Sequence, residues 1–115
     1  MTDPNCLFCR IASREIPSSI VYEDADVVAF KDIAPKMPVH IVLVPRTHLA
    51  GLDGLTPELA PLVGKVALAA QQLARDLGIA RSGYRLLSNC GPDAGQTVAH
   101  LHFHLLGGGP MGAMA

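Results

Sequence analysis

The chain has 115 residues, near the commonest domain size, and is expected to form one domain spanning 1–115. Half of its residues are apolar, yet it has no Trp and only three Phe and two Tyr, so the core must rest on Leu, Val, Ile and Ala. Nine basic against ten acidic residues argue against a nucleic-acid partner or a polybasic membrane surface, although one nucleotide in a pocket needs no such field.

The opening "MTDPNCLFCR" lacks the basic start and apolar run of a secretory signal, and no apolar stretch approaches the ~20 residues of a membrane span. A cytoplasmic location is the expectation. There, Cys6, Cys9 and Cys90 form no disulfide framework, and the Cys6–Cys9 spacing points to a metal or a redox role.

In chain order, "NCLFCRIASREIP" predicts a short helix closed by Pro17. Two strands follow, Ile20–Glu23 and Val27–Lys31, joined by an acidic turn at Asp24 and Asp26. Residues 39–44 are almost continuously apolar and β-branched, which suits a central strand covered on both faces. One long helix is predicted after Thr56 as cap and Pro57 as first residue. Leu59, Leu62, Val63, Val66, Ala70, Leu73 and Leu77 keep helical spacing along it, and Gly78 stops it. A fourth strand is predicted over 84–89 and a fifth over 100–106, with an irregular tail at 107–115. The plan is α+β.

The fifth strand, "HLHFHLL", carries the chemistry. Alternation sends Leu101, Phe103 and Leu105 to one face and His100, His102 and His104 to the other. At about 3.3 Å per residue, the backbones of the outer two histidines stand roughly 13 Å apart. One ion with ligand distances near 2 Å does not easily bind all three, so the histidines divide their labour or serve something longer. A phosphate chain is such a ligand: one imidazole can attack phosphorus while another donates to its oxygens. Just upstream, "NCGPDAGQT" offers glycines that let backbone amides approach an anion, and the Thr97 hydroxyl. No P-loop and no carboxylate cluster is present, which leaves covalent histidine catalysis.

Together "CLFCRIASREIP", "VVAFKDIAPKMPVHIVLVPRTHL" and "SNCGPDAGQTVAHLHFHLLGG" resemble the histidine-triad (HIT) family, Hint branch, over nearly the whole chain. The resemblance implies a HIT-like fold: a five-stranded, mostly antiparallel sheet with one long and one short helix. The sheet would extend across a homodimer through the long helix and a central strand. It implies a purine-nucleotide-binding hydrolase in which His102 is the nucleophile and His104 binds phosphate oxygens. Thr97, where Ser is usual, would assist the leaving group, and His40 would sit near the nucleophile and set its tautomer or accept a hydrogen bond. Asn89, Gly95 and Gln96, with the backbone of Gln96 and Thr97, would line the phosphate site. Phe30 and Ile33 would hold the base and Asp32 the ribose hydroxyls; ordinary core and turn roles also fit these three. Cys6, Cys9, His48 and His100 would bind structural zinc, as in many bacterial members; a redox pair fits less well, because no thioredoxin-like βαβ pattern follows. Cys90 has no partner.

The implied substrates are nucleoside 5′-phosphoramidates or related nucleotidyl conjugates. Dinucleoside polyphosphate hydrolysis or phosphorolysis, a binding protein with little turnover, and a zinc hydrolase are the other readings. The tail departs from the eukaryotic Hint pattern, since "GGPMGAMA" has no terminal aromatic residue to help select the leaving group.

Overall fold

The computed structural model describes residues 2–113. Its elements are α1 (Leu7–Ala12), β1 (Ile20–Glu23), β2 (Val27–Lys31), β3 (Val39–Pro45), α2 (Pro61–Asp76), β4 (Tyr84–Leu87) and β5 (Phe103–Gly107), with single 3₁₀ turns at Leu52–Gly54 and Pro92–Ala94. The five strands form one sheet in the order β1-β2-β3-β5-β4, and every neighbouring pair is antiparallel. Among the described residues no helix is long and apolar enough to cross a membrane.

Alternation along β2 and β3 explains the two-sided core. Val27, Ala29, Ile41 and Leu43 face α2, where they meet Val66, Ala69, Ala70, Leu73 and Ala74. Val28, Phe30, Val42 and Val44 face α1 and pack on Phe8, Ile11 and Ala12. The nearly continuous apolar run of β3 is thus a strand buried on both sides, as its composition predicts. On the α1 side the cover is short. Six helical residues span about 9 Å, whereas five strands are roughly 19 Å across. The uncovered part of that face, over β3, β5 and β4, is where the cleft opens.

Three boundaries differ from the sequence expectation by three residues or more. Helix α1 ends at Ala12, well before Pro17: the Ser13 amide donates back to Cys9 O, and Arg14 takes a left-handed φ of 64°. Helix α2 starts at Pro61, not Pro57. Proline cannot donate a backbone hydrogen bond, so residues 57–60 form a separate turn, closed by Ala60 N–H to Thr56 O (2.8 Å) and capped by Thr56 Oγ1 accepting from Leu59 N–H (3.3 Å). Leu77, expected in the apolar stripe, is 40% exposed.

The third difference positions the site. β5 begins at Phe103, so His100 and His102 precede the ladder. Phe103 pairs with Leu43, and two residues further the partner would be Pro45, which has no N–H. The chain turns away there: Leu101 N–H donates to Leu49 O at 2.7 Å, and the Pro45 carbonyl receives the His100 ring at 2.9 Å. The alternation survives nonetheless. Leu101, Phe103 and Leu105 join the α2-side core, and the histidines stay on the other face.

Candidate active site and metal tetrad

A cleft of about 730 Å³ lies on the α1 side of the sheet, within the size range of small-molecule sites. Its apolar wall comes from Leu7, Phe8, Ile11, Phe30 and Val42, and its polar end from His40, His102, His104, Asn89 and Thr97. Gly95 and Asp32 also line it, and Ile33 stands at the rim, 99% exposed. Phe30 is both core and cleft wall: it is 4% exposed and meets Phe8 edge-on, with centroids 5.5 Å apart.

The hydrogen bonds assign the ring nitrogens. His102 Nδ1–H donates to the His100 carbonyl at 2.7 Å, so Nε2 of His102 keeps its lone pair. The edge of Phe8 packs on this ring, centroid to centroid 5.0 Å, and fixes its plane. A second chain begins at a backbone amide. Lys36 N–H donates to His40 Nδ1 (3.0 Å), which leaves the proton of a neutral His40 on Nε2. That proton goes to His104 Nδ1 at 2.9 Å, so His104 carries its own proton on Nε2 and offers it as a donor. Cross-strand register makes this contact: Val42 faces His104 and His40 faces Leu106, so His40 and His104 are diagonal neighbours. His40 therefore touches His104 and sets its tautomer. The sequence expectation had placed it at His102.

Asp32 is committed locally. Its Oδ1 accepts from Ala34 N–H at 2.8 Å and its Oδ2 lies 3.4 Å from His40 Nε2. Asp32, His40 and His104 converge closely enough to hold a metal, but the proton on His40 Nε2 occupies the lone-pair direction a metal needs. This cluster is a hydrogen-bond relay that fixes the His104 tautomer.

Burial, more than any neighbouring charge, pushes the His104 pKa down to about 4, and burial lowers that of His40 as well. Both rings are thus neutral at pH 7, as the relay requires. In an unfolded chain they would titrate near 6.5. Between about pH 6.5 and 4 the unfolded state then binds more protons, so stability is complete above 6.5 and is lost as pH falls through that window. Thermal unfolding at pH 4.5 should lie roughly 5 °C or more below that at pH 7.5. The acid loss should be smaller in His104→Gln, and an equal loss would remove this histidine as its source.

Gln96 differs from expectation. Its side chain does not line the cleft but binds three backbone groups, Gly91 N–H, Ala50 O and Val98 O, and its own amide donates to Gly91 O. Sequence reasoning missed Phe8, Leu7, Ile11 and the Lys36 amide. Phe8 was readable in principle, as the one aromatic residue of the first helix.

Behind His102, four more side chains converge. Cys6 caps α1, its Sγ accepting from Cys9 N–H at 3.4 Å, and the i, i+3 spacing puts both sulfurs on one side. His100 Nδ1 lies 3.3 Å from Cys6 Sγ, 3.5 Å from Cys9 Sγ and 3.2 Å from His48 Nδ1; His48 Nδ1 lies 3.4 Å from Cys9 Sγ. A tetrahedral ion with bonds of about 2.3 Å to sulfur and 2.05 Å to nitrogen has edges of roughly 3.3–3.8 Å. These four separations are close to such edges, and all four ligand atoms lie within 4.8 Å of one another, so the group could hold a metal ion. The His100 ring is fully buried, with a pKa pushed down to about 4 by burial, so it presents a neutral ligand nitrogen. Its Nε2–H is fixed by Pro45 O, the outer hydrogen bond typical of metal-bound histidine. Burial raises the pKa of the Cys9 thiol, and a cation held between the sulfurs would supply the counter-charge that burial withholds. The triplet thus divides as its length required: His100 to the tetrad, His102 and His104 to the cleft.

The HIT domain profile matches residues 13–111. The chain belongs to the HIT family. It is 43% identical to the purine nucleoside phosphoramidase of Escherichia coli K12, over 94% of this chain and 91% of that protein. It is 40% identical to the adenylylsulfatase HINT1 of Arabidopsis thaliana, over 96% of this chain and 76% of the other. Among solved structures, a HIT family hydrolase from Clostridium thermocellum superposes with a TM-score of 0.95 at 50% identity, covering 98% of both chains. The HIT fold is therefore the fold of this protein, with its sheet wholly antiparallel.

Proposed function

We propose that this HIT protein hydrolyses nucleoside 5′-phosphate conjugates, with purine nucleoside phosphoramidates as the substrate class. The observation that carries the reading is the His102–His100 hydrogen bond, which occupies Nδ1 and leaves Nε2 as the nucleophilic nitrogen in a nucleotide-sized cleft beside an oriented N–H donor. The names of two relatives, a purine nucleoside phosphoramidase and an adenylylsulfatase, support the same bond type.

In the first step His102 Nε2 attacks the α-phosphorus. A nitrogen–phosphorus bond to the imidazole forms and the bond to the substrate amine breaks; the amine leaves with a proton drawn from solvent through the Thr97 hydroxyl, which keeps its own proton count, and the water of the second step returns that proton. His104 Nε2–H donates to a phosphoryl oxygen whose charge grows in the transition state. In the second step water attacks phosphorus and the bond to His102 breaks. The nucleoside monophosphate is released, and the imidazole returns neutral as the water proton departs. Phe30 and the aliphatic wall would receive the base, Ile33 its outer edge and Asp32 the ribose hydroxyls, while Asn89, Gly95 and the Gln96–Thr97 backbone border the phosphate.

Cys6, Cys9, His48 and His100 would hold Zn²⁺. Four protein ligands leave no open position, so the ion would supply structure and no Lewis acid at phosphorus. The protein is taken to be cytoplasmic and homodimeric, without nucleic-acid or membrane partners. A continuous sheet across two copies needs a free edge, so it would run through β4 rather than a central strand, beside the outer face of α2 where Leu68 is 66% exposed.

The test is to quench the reaction of a purine nucleoside phosphoramidate and map any adduct by mass spectrometry. A nucleotidyl group on His102 is the expected result. Turnover with no adduct under conditions that slow the second step would remove the covalent route.

A further inference from the structure

We propose that Gln96 is a positioning residue that couples the metal tetrad to the nucleotide cleft, so that filling either one tightens the other. The inference rests on the zinc and nucleotide reading above. The Gln96 side chain spends both its donors and one acceptor direction on backbone. Its Oε1 accepts from Gly91 N–H at 2.9 Å, and its Nε2 donates to Val98 O at 3.0 Å and to Ala50 O at 2.6 Å. The first two contacts fold the 91–98 loop on itself. The third ties that loop to the segment carrying His48.

A second bond runs parallel to it, Leu101 N–H to Leu49 O at 2.7 Å. Residues 48–51 and 96–101 are therefore laced together, and at the metal end of the lacing His48 and His100 bring their Nδ1 atoms within 3.2 Å. At the other end the same loop presents Gly95 and Thr97 to the cleft. The close approach depends on Gly51: a Cβ there would stand 3.3 Å from both Cys90 Sγ and Gln96 Oε1. Its φ of 177° is extended backbone, so glycine is needed at this position for space alone. A shift of the 48–51 segment that opens the tetrad must pull on Ala50 O, and through Gln96 on the phosphate wall.

Coupling of this kind is reciprocal and commonly about 5–150-fold. The zinc-loaded full chain would be titrated with a chelating zinc indicator, with and without AMP at a saturating level set from each variant's own calorimetric affinity. In the wild type AMP should raise the apparent zinc affinity at least about fivefold. In Gln96→Ala and Gln96→Glu, the second of which keeps the acceptor and loses both donors, the ratio should fall close to one while each ligand still binds alone. A ratio of one in the wild type overturns the proposal. So does an undiminished ratio in the folded variants, which would mean that AMP acts through global folding. Should a Gln96 variant fail to fold or to bind AMP, Gly51→Ala displaces the amide from outside the cleft; it should at least halve the ratio, and an unchanged ratio counts against the coupling. Calorimetry showing no AMP binding to the wild type would instead strike the nucleotide reading, before any zinc is measured.

Discussion

His102→Ala should lower kcat/KM for an adenosine phosphoramidate by about 10⁴-fold or more, the scale seen when a covalent nucleophile is removed. AMP binding measured by calorimetry should persist, because the apolar wall, Asn89 and the His104 donor remain. The fold should persist as well. His102 lies on the thinly covered face of the sheet, and its side chain bonds only to the carbonyl of His100 two residues away. A variant that keeps turnover within tenfold of the wild type would mean that phosphorus is attacked by water directly, with the histidines acting only as binding groups. His104→Gln should behave differently. Glutamine retains an N–H donor but not the tautomer relay from the Lys36 amide through His40, so kcat should fall about 10²-fold, the usual scale for one oriented oxyanion donor.

Metal removal is the second large effect. Chelation, or Cys9→Ser, should take the protein from one zinc per chain to none and lower Tm by at least roughly 10 °C. The reason is geometric. The tetrad joins α1, the loop after β3 and the stretch leading into β5, three segments otherwise held by the small α1-side core and a few backbone bonds. Turnover should follow the folded fraction, staying within about tenfold of the loaded value in molecules that remain folded, as coupling of ordinary size allows. A folded, metal-free protein with no turnover at saturating substrate would favour a zinc hydrolase. An unchanged Tm together with no bound zinc would show that the tetrad is a set of buried thiols and imidazoles packed without a metal.

Local sequence carries local structure here because each strand and helix buries a face of fixed period. The short apolar run of 27–30 and the nearly continuous one of 39–44 specified β2 and β3, and the 3.6-residue spacing of Val66, Ala70 and Leu73 specified the buried stripe of α2. The His-apolar-His alternation specified which side of the sheet would carry the chemistry, and it held even where the ladder does not reach. The Cys-x-x-Cys spacing specified two candidate ligands on one helical turn. These features need only neighbours a few residues apart.

What the sequence did not determine is which distant groups meet. The pairing of Cys6 with His100 spans 94 residues and that of His40 with His104 spans 64. Each is set by strand register and by where a strand stops. Pro45 ends the β3–β5 ladder and lets His100 turn out of the sheet into the tetrad, a consequence visible only once β3 and β5 are aligned. The partner of His40, the proton on His104 and the three backbone contacts of Gln96 likewise depend on atoms placed by packing between segments. A side chain's face is written in its own periodicity, whereas its partner is chosen by the tertiary contacts that bring remote backbone to it.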